Sequence, residues 1–172
     1  MLDDYSRFIL AWKLERDMTA GSLLEAVQDA IDATGMTDVP IEDRTKLLTD
    51  NGAGYVSHTF AAYLRLVGIR HIFAAPYHPQ TNGKLERYHR TLKEDVNQVP
   101  YDVPSDLIAA VAAFVDYYNF RRYHTALGDV TPADVLEGRR EQVLLRRKEV
   151  RQQTNASRQA YNRAVRELPT PA

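Results

Sequence analysis

The stretch Thr45-Lys46-Leu47-Leu48-Thr49-Asp50-Asn51-Gly52 decides how this 172-residue chain is built. Thr45 to Thr49 reads as a short strand, and Asp50-Asn51-Gly52 ends it because these residue types favour turns. Working outward toward the C-terminus, Ser57 is a candidate N-cap for the helical stripe Phe60, Ala61, Leu64 and Val67. Gly68 closes that helix, and Ile69 to Ala74 resembles another short strand. Working back from Asp50, a capping-box pattern at Ser22 and Glu25 opens the stripe Leu23, Leu24, Val27, Ala30 and Ile31, which Gly35 ends. Before it, Phe8, Leu10, Trp12 and Leu14 alternate with Ile9, Ala11 and Lys13, a period of two that predicts a strand buried on at least one face. The succession strand, helix, strand, helix, strand predicts an α/β domain with right-handed crossovers and parallel pairing. Asp50 then stands at a strand's carboxyl end.

Beyond the last strand, Pro76-Tyr77-His78-Pro79-Gln80-Thr81-Asn82-Gly83 is a loop, since two prolines and an Asn-Gly exclude a regular element. A helix is predicted from about Gly83. Its apolar face is Leu85, Tyr88, Leu92 and Val96, and Asn82, Glu86, His89, Arg90 and Lys93 fall on the polar side. A further helix over about 105–119 buries Leu107, Val111, Phe114, Val115 and Tyr118, and Thr131-Pro132 opens a short final turn. After Gly138 the chain turns rich in Arg and Gln without a continuous apolar stripe, which predicts a marginal helix or a mobile arm. The expected division is a core over 1–136 and a basic tail over 137–172.

Composition narrows the chemistry. The chain has 44% hydrophobic residues, enough for a core, and no run of about 18 apolar residues that could span a bilayer. The N-terminus lacks a secretory pattern, so a cytoplasmic protein without a membrane partner is expected. The absence of cysteine excludes disulfides and thiolate metal sites, leaving oxygen and histidine ligands. The net charge of -1 hides a strong segregation: residues 65–93 hold six basic side chains against Glu86 alone, and 137–172 hold nine against four. Residues 1–64 and 94–136 are acidic, so two basic segments alternate with two acidic ones, and solvated helix faces are the plainer account of the basic tail.

Asp50 and Glu86 are separated by a helix and a strand, a connection that lets both reach the crevice outside the strand ends, where open α/β sheets bind ligands. Two carboxylates there suit Mg²⁺ or Mn²⁺ and phosphoryl transfer. Each residue also has a plainer account: Asp-Asn-Gly is a common turn, and a first-turn glutamate is favoured by the helix dipole and can pair with Arg90.

The surrounding letters add a resemblance. Thr49-Asp50-Asn51-Gly52 and Pro76-Tyr77-His78-Pro79-Gln80-Thr81-Asn82-Gly83-Lys84-Leu85-Glu86-Arg87, with 35 residues between the two acids, resemble the integrase catalytic core. That superfamily includes retroviral integrases and bacterial insertion-sequence transposases of the Asp-Asp-Glu type. Tyr118-Asn119-Phe120-Arg121-Arg122-Tyr123-His124-Thr125-Ala126-Leu127-Gly128 and Thr131-Pro132-Ala133 look like the end of the bacterial transposase core, and Leu2-Asp3-Asp4-Tyr5-Ser6-Arg7 is similar to the segment after the family's first strand. The resemblance implies an RNase H-like mixed sheet flanked by helices, and DNA integration by metal-dependent hydrolysis followed by strand transfer. Asp50 and Glu86 would be the catalytic Mg²⁺ or Mn²⁺ ligands. His78, Gln80, Asn82, Lys84, Arg87 and Arg90 would meet DNA, at element ends or target, mostly at phosphates. A homo-oligomer or a full-length transposase is an implied partner.

The family's first catalytic Asp stands on its first strand, about a dozen residues before the position that Asp3 and Asp4 match. The sequence therefore predicts a core lacking that strand, without strand-transfer activity on its own; the alternative reading is a non-catalytic remnant that binds DNA or a full-length partner. Asp3 and Asp4 are expected in surface or capping roles. His58, His71, His78, His89 and His124 are dispersed and predict no separate metal site.

Overall fold

The structure, a computed structural model, describes residues 1–16, 19–75 and 83–166. Helix α1 spans Ala20–Thr34 and is capped one turn earlier than the sequence predicts: Thr19, not Ser22, is the N-cap, and its side chain accepts from the Ser22 amide at 3.2 Å. Thr19 has the extended backbone that an N-cap needs, so the capping oxygen comes from there. Gly35 ends the helix in the left-handed region at φ 62°. Strand β1 is Lys46–Thr49, α2 is His58–Leu66 with the predicted Ser57 cap, and β2 is Arg70–Phe73. At the α2–β2 junction Gly68 has φ +64°, and a Cβ there would stand 3.1 Å from Ile41 Cγ1 and 3.2 Å from Arg44 Nη1. Both the conformation and the close approach require glycine.

Strands β1 and β2 pair in parallel with Lys46 opposite Arg70 and Thr49 opposite Phe73, as the alternation predicts. Among the described residues the sheet has these two strands. The predicted strand over residues 8–14 is absent. Burial does alternate over residues 8–12, with Ile9 and Ala11 buried between half-buried Phe8, Leu10 and Trp12, but Lys13 and Leu14 are both exposed and the segment forms only an isolated antiparallel bridge between Leu2 and Ile9. Asn119 supplies what a neighbouring strand would: its Oδ1 accepts from the Ile9 amide at 2.8 Å and its Nδ2 donates to the Ile9 carbonyl at 3.1 Å. Burial with satisfied backbone groups is thus reached without a ladder.

Helix α3 is Gly83–Val96, α4 is Pro104–Phe120, α5 is Pro132–Leu136 and α6 is Arg140–Arg166. Pro104 occupies the first turn of α4, and Thr131 with Asp134 forms a capping box at α5. Two larger cores result. One gathers Val27, Ile31, Phe60, Leu64 and Ile69 from α1, α2 and the residue before β2; the other joins Ile9 with Tyr88 and Val96 of α3 and Val111, Phe114, Val115 and Tyr118 of α4. Leu85, predicted on the apolar face of α3, is 37% exposed because the helix turns only Tyr88 and Val96 fully into its core. The tail is a continuous 27-residue helix in which no residue is buried. No helix among the described residues is long and apolar enough to cross a membrane.

Candidate functional site

Asp50 directly follows β1, and the carboxyl ends of the two strands are stitched together around it. The Ala74 amide donates to the Thr49 carbonyl at 2.8 Å, and Asn51 Nδ2 donates to the Ala74 carbonyl at 3.3 Å. Buried Thr49 donates its hydroxyl to the Asp50 carbonyl at 2.9 Å and lies 2.8 Å from His71 Nε2. The Asp50 carboxylate is exposed, and its Oδ1 accepts from the Gly52 amide at 2.9 Å. This is an Asx turn, the plainer reading of Asp-Asn-Gly, and it fixes one oxygen while Oδ2 has no hydrogen-bond partner among the described residues. A Cβ on Gly52 would sit 3.0 Å from Asp50 Oδ1, so the glycine holds the carboxylate's place open. Burial and the Asp50 charge together push the Tyr55 phenol up.

Glu86 lies in the first turn of α3, where Tyr88 and Val96 face the core and turn Glu86, His89, Arg90 and Lys93 outward. It is exposed and makes no ion pair among the described residues. The pairing with Arg90 that would have accounted for it is not formed: Arg90 Nε is 3.8 Å from Glu94 Oε1. His89 is pushed down first by partial burial and then by Lys93. Arg87 and Arg90 are exposed on this helix. Lys84 is already engaged, its Nζ donating to the Asp4 carboxylate at 2.6 Å and to the Asp4 carbonyl at 3.0 Å. Asp3 caps its own turn by accepting from the Ser6 amide and hydroxyl at 2.7 and 2.5 Å. His78, Gln80 and Asn82 lie outside the described residues. Among those described, no group of three or more histidines and acids that could hold a metal ion is gathered, and no contact joins Asp50 to Glu86. Both offer hard carboxylate oxygens to solvent, which fits Mg²⁺ or Mn²⁺ in donor type.

Sequence reasoning did not foresee the Lys84–Asp4 pair or the Thr49–His71 contact. Asp4 is 80 positions from Lys84, beyond any local spacing rule. His71 was recoverable: parallel register puts it opposite Leu47, two residues from Thr49.

Two integrase core domain family models match the chain, one over residues 1–79 and the other over 67–132. The chain belongs to the integrase core family. The first match contains Asp50 and the second Glu86. A putative transposase for insertion sequence element IS986/IS6110 of Mycobacterium tuberculosis is 28% identical over 135 residues, which are 77% of this chain and 49% of the transposase. The chain thus spans about half the length of that relative. The Gag-Pro-Pol polyprotein of simian retrovirus SRV-2 is 43% identical over 51 residues, 30% of this chain and 3% of the polyprotein. Among solved structures, the catalytic core domain of BIV integrase matches with a TM-score of 0.54 at 22% identity, covering 76% of this chain and 80% of that one. The HTLV-2 integrase catalytic core domain in complex with magnesium matches at 0.58 and 17% identity, covering 77% and 79%. At that identity the likeness concerns fold, and it makes this integrase core an RNase H-like α/β structure, here helix-rich with a small parallel sheet.

Proposed function

We propose that this integrase core serves DNA transposition, with Asp50 and Glu86 as the carboxylate ligands of divalent metal at its catalytic centre and residues 1–136 as the catalytic unit to which 137–172 are appended. The observation that carries the reading is the placement of the two acids. Asp50 is held at the carboxyl end of β1 with one oxygen uncommitted, and Glu86 stands unpaired in the first turn of the helix that follows β2. A pair of divalent ions, when bound to such a centre, activates the attacking oxygen and stabilises the leaving one in phosphodiester hydrolysis and strand transfer. The protein's own part is positional. The Gly52 amide orients Asp50, the Tyr88–Tyr118–Phe114 packing holds the helix that presents Glu86, and Arg87 and Arg90 offer positive charge to backbone phosphates. Lys84 can join them only by leaving Asp4, an exposed pair worth roughly 0.2–1 kcal/mol.

A second reading, DNA binding without catalysis, is favoured by one observation: among the described residues no group of three or more acids and histidines is gathered to hold a metal ion. Mn²⁺ binding to the full chain, followed by the paramagnetic resonance of free Mn²⁺, separates the two. Under the catalytic reading Asp50→Asn and Glu86→Gln each weaken Mn²⁺ binding about tenfold or more, because each removes one charged oxygen ligand. The far-UV spectrum stays unchanged, since both side chains are exposed. Mn²⁺ affinity equal in wild type and both variants would overturn the assignment of Asp50 and Glu86 and leave the DNA-binding reading.

A further inference from the structure

Helix α6 has a construction that the catalytic reading does not use. At 27 residues it is about 40 Å long. Among the described residues only its first two turns rest on the rest of the protein: Val143 and Leu144 pack on Leu127, Val130 and Val135. Arg140 Nε donates to the Leu127 carbonyl at 2.9 Å, and Arg147 donates to the Asp129 carbonyl while its guanidinium sits 4.7 Å above the Tyr123 ring. Every residue from 148 to 166 is exposed, and from 150 onward none makes a side-chain hydrogen bond, ion pair or ring contact among the described residues. Burial therefore does not account for the distal half of the helix.

Its charge does have a logic. Residues 146–166 carry seven basic side chains and one acid, Glu149, which pairs with Arg146. Arg140, Arg147, Arg151 and Arg158 recur at intervals of seven, four and seven, which at 3.6 residues per turn aligns them within roughly 40° of one another around the axis. The first two members of this line bind the 123–129 loop, so their anchoring fixes the azimuth of the others. Arg151 and Arg158 continue the same line, and neither makes an ion pair among the described residues. The seam at heptad spacing from Val143 passes through Val150, Ser157 and Ala164, with Arg147, Thr154 and Tyr161 between, which is too polar to drive pairing with a second copy of the helix.

We infer that the distal half of α6 is a DNA-binding arm, its arginine line from Arg151 through Arg158 lying against the phosphate backbone of duplex DNA in a sequence-independent way. Duplex DNA presents one negative charge per about 1.7 Å of axis, so a rigid row of arginines about 10.5 Å apart finds phosphates wherever it lands. This rests on the reading of the chain as a DNA-acting integrase core but not on its metal site.

The test is the full chain against a 30-base-pair duplex of arbitrary sequence, with binding followed by fluorescence anisotropy over a NaCl series. The variant carries Arg151→Gln, Arg158→Gln, Arg163→Gln and Arg166→Gln together; glutamine keeps helix propensity, and circular dichroism checks that it does. The expected result is at least about a tenfold loss of affinity at low salt and a log–log salt slope shallower by roughly 2 to 4, near 0.9 for each phosphate contact removed. Lysine at the same four positions keeps the wild-type slope, because phosphate contact needs charge more than a forked donor. Wild-type affinity and slope in the glutamine variant overturn the arm while leaving DNA binding intact. Absence of duplex binding by the wild-type chain overturns the DNA reading and the arm with it, and a self-association lost in the glutamine variant replaces DNA with a second copy as the occupant.

Discussion

His124 holds a buried Nε2 that has no hydrogen-bond partner among the described residues, beneath the Tyr118 ring at a centroid distance of 4.7 Å. Burial first, and then the positive charges of Arg122 and Arg7, push its pKa down to about 4. Arg7 shares the strain of the place: it has φ +67° and its own Nε is buried without a partner. The folded value lies below the roughly 6.5 of an unfolded histidine, so the sign of the pH effect is fixed. Above that value both states hold a neutral ring and the residue adds no pH dependence. As the pH falls from there toward 4 the unfolded chain takes up a proton that the folded chain refuses, and stability is lost; below 4 the loss levels off. The urea midpoint of the wild type is therefore expected to fall more steeply between pH 7 and 4.5 than that of His124→Gln. His71 and His89, which are shifted downward as well, cancel in that difference because both proteins carry them. A wild-type-to-variant gap that stays constant with pH would show that His124 titrates normally.

At the scale of elements, the segment that looked most like a strand shows why some of the fold was legible and some not. Periodicity reports burial, and residues 8–12 do alternate; pairing depends on a partner that local sequence does not name. Here the partner is the amide of Asn119, 110 positions away. Helices α2 and α3, strands β1 and β2 and the start of α5 at Thr131-Pro132 were readable because their signals are local: Ser57, Gly68, Thr131 and Pro132 act within a turn of themselves. Asp50 and Glu86 were readable as candidates for the same reason, whereas the Lys84–Asp4 pair and the Thr49–His71 contact belong to tertiary placement. The cap of α1 was missed because Thr19 and Ser22 both have the right chemistry, and only backbone geometry chooses. The Asn119 substitute ladder makes its own prediction. Asn119→Leu fills similar volume but leaves the Ile9 amide and carbonyl buried and unpaired, each costing about 1–3 kcal/mol. A urea titration of that variant should show a loss in that range or above it, and a loss under about 0.5 kcal/mol would mean that the Ile9 backbone finds another partner.

For the whole molecule, among the described residues the N-terminal strip packs on both of the larger apolar cores. Met1 packs on the core of α1, α2 and the sheet, whereas Leu2, Ile9 and Trp12 pack on the core of α3 and α4. The strip is closed on itself by Leu10 donating to the Met1 carbonyl at 2.9 Å, and is tied to α1 by Lys13, 2.5 Å from Glu25. An exposed ion pair and a few apolar contacts make a weaker joint than either core, so the halves should respond unequally to damage in one of them. Phe60 is fully buried, with its ring edge-on to Tyr55 and His71. Phe60→Ala should cost about 3–5 kcal/mol in the half that carries Asp50. Trp12, the only tryptophan, reports the other half. In a urea titration, amide exchange at Leu64 should then move to lower denaturant than Trp12 fluorescence, whereas the wild type shows the two together or nearly so. Coincident transitions in the variant would mean that the strip couples the cores fully. Separated ones would mean that the carboxyl edge bearing Asp50 can loosen while the α3 face bearing Glu86 stays folded, so that the two proposed ligands stand on units of unequal stability.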